Sequence, residues 1–125
     1  MLRSSLCIVL LTATPAFAQE TPDFRGPPFA MQSGEAVYAS VCQACHMADA
    51  KGAVGAGNYP ALSRNSKLSS AGYVLTIVML GHKGMPPFRG HFANAQIAAV
   101  VNYVRSHFGN RNRDKISEAD VQALR

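Results

Sequence analysis

The pentapeptide Cys42-Gln43-Ala44-Cys45-His46 constrains this chain more than any other feature. A C-x-x-C-H run is the attachment signature of c-type haem, whose vinyl groups form thioether bonds with the two thiols. The histidine beside the second cysteine is placed to ligate the iron. The pattern therefore predicts one covalently attached haem c, with Cys42 and Cys45 as the tether and His46 as the first axial ligand.

Two other uses of a cysteine pair fit this sequence poorly. A structural zinc site takes four ligands, usually as two pairs of Cys or His, and the sequence offers no second pair. A thioredoxin-like redox motif follows a strand in a βαβ unit, whereas the residues around Cys42 are Ala-rich and show no strand alternation. Haem attachment is the interpretation that explains the motif.

The first residues predict export from the cytoplasm. Arg3 gives a short positive start, residues 6–13 form an apolar run, and an Ala-Phe-Ala cleavage site ends at Ala18. We expect residues 1–18 to be a signal peptide, because the apolar run is too short to span a bilayer as a retained anchor. Cys7 is then removed with the leader. The expected location is the periplasm, with no stable membrane insertion after cleavage.

Size and charge limit the classes of function. A chain of 125 residues forms one small domain with a modest apolar core, so a covalently attached haem would supply much of that core. Twelve Lys and Arg against seven Asp and Glu give a formal net charge of +5, which mildly favours acidic partners. Nucleic-acid binding is not expected, because there is no dense basic run and no recognition motif.

Three helices are predicted from apolar residues that recur at helical spacing. The first covers residues 34–44, with Ser33 as its N-cap. The second begins after Ser70 and ends at Gly81, a residue type that is common just past a helix. The third has the clearest amphipathic pattern and ends before Gly109.

The segments outside these helices are irregular. Residues 19–32 contain three prolines and predict an extended arm, and residues 49–67 contain the glycines of a loop that wraps a flat ligand. A tail over residues 111–125 contains a capping box that begins at Ser117 and favours a short helix. No strand pattern is found. The haem-binding domain is expected to cover residues 33–110.

The second axial ligand must come from another methionine or a histidine. Met31 belongs to the arm, and Met47 follows the first ligand too closely to reach the opposite haem face. Met79 falls in the apolar pattern of the second helix, where packing is the ordinary role of methionine. Met85 lies in a Gly-Met-Pro-Pro segment, whose stiff, non-helical backbone would hold a thioether at a fixed point. We therefore predict Met85 as the sixth ligand.

Histidines provide the alternatives to Met85. His82 is the main rival, because it lies only three residues before the methionine. A histidine beside a loop is more often a solvated side chain. His91 and His107 have weaker claims.

These residues together resemble class I cytochromes c over residues 33–110. Gly34 and Tyr38 precede the first cysteine at the spacing with which this family crosses its first and last helices. Tyr103 matches the other side of that crossing. The Gly-Met-Pro run at Met85 matches the axial methionine loop of the family.

The resemblance implies an all-α fold, with three to four helices packed around a covalently attached haem. The Pro-Ala-Leu run at Pro60 matches the loop whose proline carbonyl accepts a hydrogen bond from the second ring nitrogen of the proximal histidine, here His46. Pro60 is therefore counted among the cofactor-binding residues. Ala93 stands where the family usually has a Ser or Thr cap, and Asn94 is its candidate replacement.

A narrower resemblance, to small cytochromes c of bacterial dehydrogenases, bears on function. It implies an electron-transfer protein that accepts electrons from a dehydrogenase and passes them to a terminal oxidase or another cytochrome, and that is not itself an enzyme. The protein would be a free monomer or, alternatively, a permanent cytochrome subunit of a dehydrogenase complex. A haem-based ligand sensor would need Met85 unbound. Lys83 and Arg89 flank the methionine loop and are placed either to orient an acidic partner or to be solvated.

Overall fold

The computed structural model describes residues 33–55 and 57–125, which form a mostly helical structure. The expected signal peptide, the Pro-rich arm and Met31 lie outside the described residues. In the described ranges, no helix is both long enough and apolar enough to cross a bilayer.

Helices dominate the part of the chain that the structure describes. The α-helices are α1 (Gly34–Val37), α2 (Gln43–His46), α3 (Ala71–Leu80), α4 (Asn94–Ser106) and α5 (Glu118–Gln122). A π-helical turn, Tyr38–Cys42, joins α1 to α2, and Ser66–Ser69 form a 3-10 turn before α3. The mostly helical fold expected from the resemblance is confirmed.

The first helical run starts and stops at identifiable residues. Ser33 Oγ accepts a hydrogen bond from the Ala36 N–H at 3.1 Å, so the predicted N-cap is confirmed. The run continues to His46, two residues beyond the predicted end, and stops at Met47, whose φ is 65°. The sequence did not indicate the π-helical turn, because one such turn barely changes the spacing of apolar residues.

The first and last helices of the core cross at Gly34. A Cβ placed on Gly34 would lie 2.6 Å from Tyr103 Cβ, so only glycine allows α1 to approach α4 this closely. Beside the crossing, the Tyr38 ring packs against Tyr103 and Phe108, with centroid distances of 5.8 and 4.8 Å. The crossing expected from the resemblance is therefore present.

Both ends of α3 follow the prediction. Ser70 Oγ accepts from the Tyr73 N–H at 3.4 Å, and the helix ends at Gly81. Gly81 has φ 74°, a left-handed conformation that glycine adopts without strain. A Cβ there would also lie 2.6 Å from Met85 O. The helix therefore ends where the methionine loop turns back over it.

The expectation that Asn94 caps α4 is wrong. The N-cap is Ala93, and the Gln96 carboxamide reaches back to accept a hydrogen bond from the Ala93 N–H at 2.9 Å. The Asn94 side chain instead donates to Gln122 Oε1 at 2.9 Å and accepts from the Arg125 guanidinium. Asn94 thus joins the start of α4 to the end of the chain.

The absence of strands is the one part of the all-α expectation that the structure contradicts. Ala53–Val54 (β1) and Asn58–Tyr59 (β2) form an antiparallel hairpin, with Ala53 opposite Tyr59. Strands of two residues are too short to show apolar alternation. The sequence therefore showed only the glycines of the turn.

The tail over residues 111–125 packs against the helices. The capping box is present: Ser117 Oγ accepts from the Asp120 N–H at 3.2 Å, and the Asp120 carboxylate accepts from the Ser117 N–H at 2.8 Å. Val121 on α5 is fully buried. The Asn102 side chain makes two 2.8 Å hydrogen bonds with the backbone of Ile116. The tail is therefore part of the folded core.

Candidate haem site

An apolar cavity lies between the first helical run, α3, α4 and the methionine loop. Its volume is about 420 Å³, and both predicted axial ligands, His46 and Met85, line it. Cavities of roughly 300–1,000 Å³ with apolar walls and few polar groups are typical of cofactor sites. The wall is mainly aliphatic, with contributions from Leu62, Leu68, Val74, Ile77, Val78, Val100 and Val104.

His46 is held with one ring nitrogen fixed. The residue is buried, and its Nδ1 lies 2.9 Å from the carbonyl oxygen of Pro60. Because a carbonyl only accepts, Nδ1 carries the proton and Nε2 retains the lone pair that a metal needs. The hydrogen bond expected from the resemblance is thus present, and it orients the ring as outer partners of ligating histidines do.

Backbone hydrogen bonds place the Pro60 carbonyl against the histidine. Ala50 O accepts from the N–H groups of Leu62 and Ser63, each at 2.8 Å. The Gly52 N–H donates to the backbone carbonyl oxygen of His46, at the end of α2, at 3.1 Å. The segment after the motif and the segment around Pro60 are therefore tied to each other and to the end of α2.

The two motif cysteines differ in environment. Cys42 is half-buried and lines the cavity, whereas Cys45 is exposed. Residues three apart on a helical run lie on the same face, which suits two attachment points on one flat ligand. Burial, with a smaller contribution from nearby Cys45, raises the pKa of the Cys42 thiol to about 11. Before attachment, Cys42 is therefore a protonated thiol at neutral pH.

The Tyr38 hydroxyl makes a hydrogen bond to the residue that follows the haem-attachment motif. It donates to the carbonyl oxygen of Met47 at 2.7 Å, which fixes the residue that ends the helical run. Burial is the largest cause that raises the pKa of Tyr38 to about 12, so the phenol stays neutral at physiological pH. This contact is structural.

The methionine loop leaves α3 at Gly81 and is tied back to α3 beyond Met85. Phe88 N–H donates to Val78 O at 3.0 Å and Arg89 N–H donates to Met79 O at 3.3 Å. Between Gly81 and these two bonds, His82 and Met85 form an isolated antiparallel bridge. Met85 is half-buried and lines the cavity, which agrees with the role predicted for it.

The other candidate ligands are distributed unevenly around the cavity. Met79 is fully buried in the core, as expected for a packing residue, and is not part of the cavity wall. His91 and His107 are exposed and lie outside the wall. His82 is exposed too, but it lines the cavity, so it is more than the solvated side chain that the sequence suggested.

The sequence did not indicate that some polar residues belong to the wall. Lys67 and Tyr73 line the cavity, and so does Lys83, which was expected only to orient a partner or to be solvated. Their place on the wall follows from how α3 and its flanking loops pack, and no local pattern marks it. These polar and cationic side chains suit a ligand that carries carboxylates at its edge.

The residues present therefore fit a haem. An apolar cavity is lined by a histidine whose Nε2 is available, a methionine and a half-buried cysteine. Haem iron takes nitrogen and sulfur axial ligands of these kinds.

Comparison with known proteins agrees with this chemistry. Residues 29–104 match the family model described as cytochrome C oxidase, cbb3-type, subunit III. The chain is 32% identical over 111 residues to cytochrome c6 of a Synechococcus species, covering 80% of this chain and 84% of that protein.

Two dehydrogenase subunits are also similar. The chain is 31% identical over 105 residues to the cytochrome c subunit of alcohol dehydrogenase (quinone) from Gluconobacter oxydans. It is 33% identical over 104 residues to the fructose dehydrogenase cytochrome subunit from Gluconobacter japonicus. The alignments cover 74% and 71% of this chain but 22% and 21% of those subunits. The chain thus belongs to the cytochrome c family whose model matches residues 29–104, a family of electron-transfer proteins with c-type haem.

Proposed function

We propose that this protein is a periplasmic one-electron carrier with a single haem c, attached through Cys42 and Cys45 and ligated by His46 and Met85. One observation carries the proposal. His46 and Met85, from segments far apart in sequence, line the same apolar cavity, and the hydrogen bond from Nδ1 to Pro60 leaves His46 Nε2 as the metal-binding nitrogen.

The side chains around the site have separate tasks in this proposal. When bound, the haem supplies a one-electron iron couple, and a thioether ligand favours the ferrous state and so a higher potential than a second nitrogen ligand gives. The Pro60 carbonyl fixes the orientation of the His46 ring. The aliphatic wall would exclude water, and Met85 would supply the second ligand.

Exposed cations next to the methionine loop supply a docking charge. Lys83 and Arg89 are both exposed and flank Met85. An acidic partner would be steered to this side of the molecule, because complementary charge mainly increases the rate of encounter. We propose a dehydrogenase as the electron donor, in keeping with the relatives that are dehydrogenase subunits, and a terminal oxidase or another cytochrome as the acceptor.

A permanent subunit is the second candidate. In the two dehydrogenase relatives, the matching region occupies about a fifth of a much longer cytochrome subunit. The match to cytochrome c6 over 84% of that protein's length favours a small separate carrier instead.

The ionic-strength dependence of electron exchange separates the two. A carrier must dissociate after each transfer, so the purified haem protein should be monomeric, and its bimolecular reduction by the dehydrogenase should slow as salt screens Lys83 and Arg89. Lys83→Gln with Arg89→Gln should weaken the salt dependence. Lys51→Gln is the matched control, because Lys51 is also exposed but is paired with Asp49 at 3.0 Å, outside the cavity wall. Co-purification with the dehydrogenase through high salt would instead show a fixed subunit.

A further inference from the structure

The bridge between His82 and Met85 brings two candidate iron ligands together on one turn. The His82 N–H donates to Met85 O, and the Met85 N–H donates to His82 O, each at 3.0 Å. Residues that exchange both hydrogen bonds have Cα atoms about 5.5 Å apart and side chains on the same side of the ladder. Both residues line the cavity, although His82 is exposed. The bridge therefore places two candidate ligands side by side at one cavity.

The turn has room to adjust while its ends stay fixed. Lys83 has φ 53°, and a Cβ placed on Gly84 would contact nothing within 4 Å, so the tip of the turn is open. The Phe88 N–H bond to Val78 O anchors the loop beyond Met85. Exchanging one side chain for the other therefore needs rotation within the turn and leaves the helices in place.

We propose that His82 is a reserve axial ligand, an inference that rests on the proposed ligation by His46 and Met85. When the Met85 sulfur leaves the iron, the neutral His82 imidazole donates a nitrogen lone pair in its place. One sulfur–iron bond breaks and one nitrogen–iron bond forms, with no net transfer of protons or electrons. The second state has two histidine ligands, a lower potential than the first, and an iron still closed to small molecules.

His82 suits this role better than the other donors nearby. Lys83 also lines the cavity, but it lies at the tip of the turn and is not paired with Met85. His91 and His107 are not part of the cavity wall. Among these residues, His82 alone combines a place on the wall with the backbone bridge to Met85.

The test uses the ferric haem protein and its spin state. Met85→Ala should remain low-spin in absorption and electron paramagnetic resonance spectra, with the signature of two nitrogen ligands. Adding His82→Ala to this variant should convert the haem to high-spin and should speed the binding of added cyanide at least tenfold. Adding His91→Ala, the matched control, should change neither property. His82→Ala alone should retain the sulfur-to-iron charge-transfer band of the wild type.

The outcomes distinguish this inference from the ligation on which it rests. A high-spin Met85→Ala variant would overturn the reserve ligand while leaving Met85 as the native one. A low-spin signal that survives His82→Ala would overturn it too, because another donor would then be bound. A sulfur band that persists in Met85→Ala would overturn the ligation itself. If Met85→Ala does not load haem, Met85→Leu in the same two backgrounds gives the same readings.

Discussion

Gly34 determines how closely the first and last helices of the core approach each other. A Cβ at this position would lie 2.6 Å from both Tyr103 Cβ and the carbonyl carbon of Ala99, closer than such atoms ever pack. Relieving that overlap requires the helices to separate beside Tyr38 and the haem-attachment motif. A single methyl group is therefore expected to disturb the core of the molecule.

We predict that Gly34→Ala lowers the free energy of unfolding by about 1–3 kcal/mol, the usual cost of overpacking. Denaturation of the haem protein in urea measures the change. Gly72→Ala is the matched control: a Cβ there meets nothing within 4 Å, and replacing a helical glycine by alanine commonly stabilises by about 0.5–1 kcal/mol. Equal effects of the two substitutions would show that the crossing tolerates a side chain.

The role of a single residue could be predicted where the evidence for it lay in neighbouring residues of the sequence. Five adjacent residues predict the roles of Cys42, Cys45 and His46, and the stiffness of its own loop predicts that of Met85. The place of His82 on the cavity wall depends on a backbone bridge, and local sequence does not specify which way a turn faces. The sequence therefore predicted a role for His46 but did not predict that His82 lines the cavity.

Among the contacts between structural elements, those of Arg105 attach the tail to the helices. This arginine of α4 is fully buried, although nothing in the amphipathic pattern distinguishes it from a solvated cation. Its guanidinium donates to Leu68 O at 2.9 Å and Ser69 O at 3.2 Å, and to both carboxylate oxygens of Asp114 at 2.7 and 2.8 Å. It thus joins α4, the 3-10 turn and the tail.

This cluster predicts a pH dependence of stability. Hydrogen bonds from the Arg105 guanidinium hold the pKa of Asp114 below its ordinary value of 3.8. A carboxylate with a lower pKa in the folded state stabilises the protein above pH 3.8 and loses this contribution as the pH falls through the folded value. We expect Asp114→Asn to be less stable than the wild type at neutral pH, and the difference to shrink on acidification.

Urea denaturation at a series of pH values measures this difference. Glu118→Gln removes another exposed carboxylate of the same tail and controls for the change in net charge. Because the Arg105 guanidinium is buried, its contacts with Leu68 and Ser69 remain in the Asp114 variant. The same pH profile for both variants would contradict a specific role of the ion pair.

Helix boundaries were largely predictable because caps and glycines act locally. Ser33, Ser70, Gly81 and Ser117 all begin or end helices where the sequence indicated. The π-helical turn and the two-residue strands were not predicted, because each is too short to leave a pattern of apolar residues. The Gln96 cap of α4 was missed because Asn94 was the expected cap, and local sequence does not show contacts with distant segments. Asn94 shows this most clearly, because its side chain is engaged by Gln122 and Arg125 at the other end of the chain.

For the whole molecule, the cavity is the organising feature. Each of α1, α2, α3 and α4 supplies at least one residue to its wall, and both His46 and Met85 line it. The core of so small a chain is modest, so a haem in this cavity would complete the apolar packing. The ligand pair and the stability of the fold are therefore linked through one site.

The ferric absorption spectra of Met85→Ala and Met79→Ala test this view most directly. Both substitutions truncate a methionine near the methionine loop, but Met85 lines the cavity and Met79 is fully buried in the core. Met85→Ala should abolish the weak long-wavelength sulfur-to-iron band and lower the potential. Met79→Ala should keep the band while lowering the free energy of unfolding by about 2–5 kcal/mol. Retention of the band in Met85→Ala, or its loss in a folded Met79→Ala, would contradict ligation by Met85.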